Sequence, residues 1–186
     1  KANIYWTQRL QEEGVKVIQT IPGYKVHAKL LLVRRREEND ENTFYANIGT
    51  GNFNESTAKV YADDSLLTNN PDICHDIYNI FELLEARFIL PKFNTLKVAP
   101  FAIRDFFIQK LEKEIENKKA GKEAWVLLKM NSLVDKKVSR KLYEASQAGV
   151  RIDLIVRGIC VIKPGVKGMS ENIHAFSIVD KYLEHS

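Results

Sequence analysis

Apolar residues along this chain fall into helical spacing in some stretches and strand spacing in others. Trp6 and Leu10 lie on one helical face within Asn3–Glu13, and Gly14 closes that helix. Val15-Lys16-Val17-Ile18 then predicts a strand, Pro22-Gly23 a turn, and Val26–Val33 a second strand. The charged run Arg34–Asn42 reads as a solvated hairpin tip, from which Thr43–Ile48 returns as a strand into Gly49-Thr50-Gly51-Asn52. Asp72–Phe88 predicts a helix, with Ile77, Ile80, Phe81, Leu84 and Phe88 in one apolar stripe. Pro71 and Asp72 suit its first turn, and Pro91 ends it.

Leu96–Pro100 reads as the junction to a second unit, with a domain expected over residues 1–95 and another over 96–186. The second opens on an amphipathic helix bearing Ile103, Phe106, Phe107, Leu111 and Ile115, which stops near Gly121. Ala124–Lys129 is a buried strand. Asp135 can cap a helix carrying Val138, Leu142 and Ala145 that ends at Gly149. Ile152–Val156 is a further strand, and Ile162–Asn172, with Pro164, Gly165 and Gly168, is a loop. A weak internal repeat relates Arg9–Val17 to Glu144–Ile152, each a helix end, a Gly-Val pair and a strand. Helices alternating with strands in both halves predict an α/β fold with helices packed on sheets.

Composition narrows the class. With 45% hydrophobic and 28% charged residues the chain is a core-forming one, and no apolar run approaches the roughly 20 residues that cross a bilayer. A net charge of +4 permits a local anionic ligand without demanding nucleic acid. Cys74 and Cys160 lack metal-type spacing and sit in apolar contexts, which favours reduced packing residues in a cytosolic protein. Lys1 is not an initiator Met, so the chain is expected to be a piece of a longer one.

The candidate chemistry begins at Val26-His27-Ala28-Lys29. On a strand, His27 and Lys29 project from one face, placing an imidazole that can act as nucleophile beside a fixed ammonium. The later glycine turn offers backbone N–H groups to an anion, and Asn52 adds a side-chain amide; ending a strand is the plainer role for Gly49 and Gly51. Arg157, after an apolar strand and before Gly158, suits bidentate phosphate binding, with a structural ion pair as its rival. Lys129 and Asn131 sit similarly after their strand and read as weaker phosphate contacts. Tyr61 suits either stacking on a nucleotide or packing in a core. His75 and His174 read as structural or exposed.

Several blocks together resemble the long-chain bacterial polyphosphate kinases. They are Lys25–Leu30, Ile48-Gly49-Thr50-Gly51-Asn52-Phe53-Asn54, Thr57–Tyr61, Lys129–Asp135, Val156-Arg157-Gly158-Ile159-Cys160 and Asp180-Lys181-Tyr182-Leu183-Glu184-His185. The resemblance runs in order over almost the whole chain. It implies the α/β, phospholipase D-like class, here as parts of two consecutive mixed-sheet domains flanked by helices. It also implies reversible transfer of the terminal phosphate of ATP to inorganic polyphosphate with magnesium, whose ligands are expected outside this chain. By match to the motifs, His27 would become phosphorylated, His185 would be the second active-site histidine, and Tyr61 and Arg157 would bind nucleotide or phosphate. ATP, ADP and polyphosphate are the implied partners, in a homo-oligomer when full length. A cytoplasmic location is expected, with membrane association left open. The chain by itself is expected to be inactive or nearly so.

Two departures bear on rival classes. The wider phospholipase D-like superfamily usually has an aspartate five residues after the lysine, where this chain has Arg34; that disfavours a phosphodiesterase. Some family members have a histidine where this chain has Asn47, so no catalytic role is expected there. A phospholipase D-like phosphodiesterase and a non-catalytic polyanion-binding domain are the alternatives.

Overall fold

The computed structural model describes residues 2–18, 23–38, 41–85, 91–179 and 181–184. The chain forms two compact units, one of residues 1–48 with 67–95, the other of residues 49–66 with 96–186.

In the first unit, α1 (Ala2–Glu12) ends where Gly14 takes a left-handed φ of 80°. The Gly14 N–H bonds Gln11 O at 3.0 Å and the Val15 N–H bonds Leu10 O at 2.9 Å, a Schellman cap. The cap accounts for a departure from the sequence reading. Val15 closes the helix, and Val15–Ile18 forms no strand. β1 (Leu30–Arg36) pairs antiparallel with β2 (Asn42–Gly49), from Leu30 opposite Ile48 to Arg36 opposite Asn42. The strand expected from Val26 therefore begins four residues later. Directly beyond Ile48, β2 runs out into its glycine turn, so Val26–Lys29 has no ladder to join. At the other end, Arg34–Arg36 are strand residues rather than hairpin tip.

β4 (Ser65–Thr68) lies on the other side of β2, in the order β1-β2-β4. α3 (Pro71–Glu85) packs on β1, burying Cys74, Asp76 and Ile77. Its thiol at Cys74 reaches Phe44 O at 3.4 Å. The fully buried Asp76 carboxylate accepts the N–H groups of Asn94 (3.0 Å) and Thr95 (2.7 Å), tying the segment after the helix back onto it. The last residues of the predicted helix, including Phe88, lie outside the described residues. Both cysteines are free, but Cys160 is exposed, so the expected packing role holds for Cys74 alone.

In the second unit, β5 (Trp125–Met130), β6 (Arg151–Val156) and β7 (Ile173–Phe176) form a parallel sheet in that order. α4 (Ile103–Lys119) precedes β5, and α5 (Lys136–Gln147) connects β5 to β6. Asp135 accepts the N–H groups of Lys137 and Val138, both at 3.0 Å, and so starts α5. Leu142 and Ala145 on its inner face are fully buried with Val150, Ile152, Leu154 and Ile173. Such burial stabilises by about 1.5–3 kcal/mol for each large aliphatic side chain. Gly149 and Val150 repeat the cap of Gly14 and Val15, bonding Ser146 O (2.9 Å) and Ala145 O (3.0 Å). The repeat seen in the sequence is thus one cap used twice, and only its second copy leads into a strand. A short helix, α2 (Glu55–Ala58), and a parallel pair of two-residue strands, β3 (Tyr61–Ala62) and β8 (Leu183–Glu184), complete this unit.

Candidate phosphate-binding site

Two parallel strands end side by side in the second unit. Met130 pairs with Val156 as the last rung of β5 and β6, so Asn131 and Arg157 leave the sheet together. The carboxyl ends of parallel strands are where open α/β sheets place their ligands. Arg157 is half-buried there. Its Nε–H donates to Asn131 Oδ1 at 2.9 Å and its Nη1 to Glu184 O at 2.9 Å. Lys129, on the last turn of pleat in β5, lies 3.2 Å from the Glu184 carboxylate. A guanidinium and an ammonium thus converge on Glu184, one on its main chain and one on its side chain. β8 carries Glu184 into place, and its partner rung sets Tyr61 opposite Leu183. Arg157, Lys129, Asn131 and Tyr61, all singled out in the sequence, therefore belong to one unit and are linked through β8.

The glycine turn has different surroundings from those expected. The Thr50 N–H bonds Asp64 O at 3.0 Å, the Thr50 hydroxyl donates to Asp63 Oδ1 at 3.0 Å, and the same hydroxyl accepts the Asp64 N–H at 2.9 Å. The Thr50 N–H is therefore committed to the protein's own backbone, and the Asp63 carboxylate, itself negative, faces the turn. Gly51 is required for close approach, since a Cβ there would run into the Asp63 carboxylate. Asn52 is exposed beyond the turn, and its carbonyl accepts the Asn54 N–H at 2.8 Å. Asn54 in turn caps α2 through Thr57 N at 3.1 Å.

In the first unit, His27 is exposed and Lys29 half-buried. Both lie on the stretch before β1 that takes no strand conformation, not on a strand as the alternation predicts. The Lys29 ammonium donates to the His27 main-chain oxygen at 3.4 Å, which keeps the charge near the histidine without sealing its ring in hydrocarbon. Asn47, where no catalytic role was expected, is buried in β2. His75 and His174 are both exposed; the latter lies 3.4 Å from Asp153. The candidate His185 lies outside the described residues.

The sequence reading missed Asp63 altogether and did not foresee the hydrogen bond between Asn131 and Arg157. Each hydrogen bond joins residues far apart in the chain, so no local pattern announces them. The signal available was the equal offset of Asn131 and Arg157 from the ends of their strands. Among the described residues no three His, Cys, Asp or Glu side chains come together as a metal site, so these residues offer magnesium no ready-made set of ligands. Nor, among them, is any helix long and apolar enough to cross a membrane.

Residues 1–88 match the family polyphosphate kinase C-terminal domain 1, and residues 96–186 match polyphosphate kinase C-terminal domain 2. The chain is 48% identical over 185 residues to a polyphosphate kinase of Vibrio parahaemolyticus and 46% identical over 184 residues to one of Staphylococcus epidermidis. These alignments take in 100% and 99% of this chain but 26% and 25% of the relatives, so it spans about a quarter of their length. The crystal structure of polyphosphate kinase from Porphyromonas gingivalis superposes with a TM-score of 0.87 at 43% identity, over 98% of this chain and 30% of that one. The fold is α/β, of the phospholipase D-like class. The chain belongs to the polyphosphate kinase family.

Proposed function

We propose that this chain is a catalytic region of a polyphosphate kinase, acting in the reversible transfer of the terminal phosphate of ATP to inorganic polyphosphate. The observation that carries the reading is the Arg157 guanidinium, fixed at the end of β6 by Asn131 and Glu184 beside Lys129. A rigid planar cation at a parallel-strand end is suited to gripping phosphate oxygens end-on. Residues 1–95 and 96–186 would be the two phospholipase D-like domains.

In the first step a lone pair on a His27 ring nitrogen attacks the γ-phosphorus. The bond from that phosphorus to the β,γ-bridging oxygen breaks, and ADP leaves with the electron pair. In the second step a terminal oxygen of polyphosphate attacks the phosphohistidine phosphorus and the P–N bond breaks, restoring the imidazole. Lys29 offsets charge on the transferring oxygens. Arg157, Tyr61, Asn52 and His185 hold nucleotide or phosphate, with His185 also a proton donor or acceptor at the bridging oxygen. Magnesium would serve to neutralise phosphate charge, held by residues beyond those described. The whole protein would be a homo-oligomer acting in the cytoplasm on ATP, ADP and polyphosphate.

The test is to incubate the full-length protein with γ-labelled ATP and look for acid-labile phosphate. Label on His27, absent in His27→Ala, is expected. Elongation of polyphosphate by His27→Ala at the normal rate would overturn the nucleophile assignment. Turnover of a phosphodiester but not of ATP with polyphosphate would replace the kinase by a phospholipase D-like hydrolase.

A further inference from the structure

We propose that Asn131 is a positioning residue whose side chain aims the Arg157 guanidinium at phosphate. The inference rests on the reading of Arg157 as a phosphate ligand. An arginine side chain has five N–H donors, and left alone it samples many rotamers. Here two donors are engaged, Nε–H by Asn131 Oδ1 and one of Nη1 by Glu184 O, each at 2.9 Å. The other three make no bond to the described residues. With Nε held by Asn131 and one Nη1 hydrogen by Glu184 O, the second Nη1 hydrogen and both Nη2 hydrogens are left to bond phosphate.

The main chain around Asn131 is built to keep that carboxamide still. Arg157 N bonds Met130 O at 3.1 Å and Gly158 N bonds Asn131 O at 2.7 Å, so the two strand ends are zipped together past the last rung. Leu133 N then bonds Ile159 O at 2.8 Å and Val161 N bonds Leu133 O at 3.1 Å, continuing the zipper. Gly158 makes it possible. A Cβ at that position would come within 3.0 Å of Asn131 O, 3.2 Å of Ser132 Oγ and 3.8 Å of Asn131 Oδ1. No left-handed φ calls for that glycine; a side chain there would crowd Asn131. Asparagine also suits the role chemically. Its neutral oxygen accepts the Nε–H without cancelling the positive charge, as an aspartate there would.

The experiment uses the full-length kinase with Asn131→Ala, Arg157→Ala and the double variant, assayed with ATP and polyphosphate and with added guanidinium ion. Arg157→Ala is expected to raise KM for at least one substrate by about tenfold or more. Asn131→Ala should raise the same KM by about three- to tenfold, and should add nothing in the Arg157→Ala background. Guanidinium should partly restore Arg157→Ala, because Asn131 and Glu184 still hold its binding place, and should fail in the double variant. A residue that merely supports the loop would not move that rescue. If Arg157→Ala leaves both KM values unchanged, the phosphate reading of Arg157 falls and this inference with it. If Arg157→Ala is impaired while Asn131→Ala behaves as wild type, or guanidinium rescues both arginine-free proteins equally, the positioning role alone is overturned.

Discussion

The Thr50 hydroxyl donates to the Asp63 carboxylate at 3.0 Å, and that bond braces the turn from which Asn52 projects. Thr50→Val keeps the shape and deletes both hydroxyl bonds, which should cost about 1 kcal/mol. Gly51→Ala should cost more, about 1–3 kcal/mol, because its methyl meets Asp63. Trimming the obstacle with Asp63→Ala should recover part of that second loss, since the carboxyl group goes while the Cβ at position 63, 2.9 Å from the new methyl, stays. Urea midpoints for the four proteins of this cycle check it; a Gly51→Ala cost that is the same with and without Asp63 would refute the steric account.

Asp135 should govern part of the acid stability. Its carboxyl is held below the ordinary 3.8, first by the Val138 N–H and then by the Arg104 guanidinium at 2.7 Å. A carboxyl depressed in the folded state contributes stability that is complete above the unfolded pKa and is lost as pH falls through the folded one. Unfolding midpoints of wild type and Asp135→Ala should therefore differ most above pH 4 and converge as pH drops below it. At neutral pH the substitution should cost about 1–2 kcal/mol through loss of the cap. A gap that stays constant down to pH 2 would contradict the ionic contribution.

Asp76 should matter to the first unit. Asp76→Ala leaves the N–H groups of Asn94 and Thr95 without their acceptor, at an expected cost of about 2–4 kcal/mol for two such bonds to a charged group. Hydrogen exchange at those two amides should quicken before global unfolding begins. Unchanged protection at both would show that the carboxylate does not hold this segment.

Glu184 should compete with phosphate for Lys129. Both side chains are more than a third exposed, so the pair itself contributes under about 1 kcal/mol to stability. Glu184→Gln in the full-length protein should leave the melting point within a degree or two yet, on the proposed function, lower KM for polyphosphate about two- to fivefold at low salt. High salt should erase the difference. A raised KM would mean that the carboxylate assists the anion's binding instead.

The second unit was the more legible half, for a physical reason. β6 alternates between fully buried and less buried positions over its whole length, and α5 has a capping aspartate, a buried face and a terminating glycine, so each local preference agrees with the packing. Val15–Ile18 has equally good strand residues, but the helix cap claims its first residue. Val26–Lys29 has the right alternation without a neighbour, because the length of a strand depends on where its partner turns. Lys29 does reach His27, at its main-chain oxygen, although the strand expected to carry both does not form there. The Asp63 contact and the Asn131–Arg157 hydrogen bond were hidden, since the partners lie 13 and 26 positions apart.

β5 and β6 act as a pair of rulers. They run the same way from Trp125 opposite Arg151, and both stop at the same height. Dropping one residue from either would displace its tip by about 3.3 Å and turn the following side chain to the opposite face. Variation in loop length among relatives should accordingly gather in outlying stretches such as the turn around Lys167, while Trp125–Asn131 and Arg151–Arg157 keep a matched number of residues.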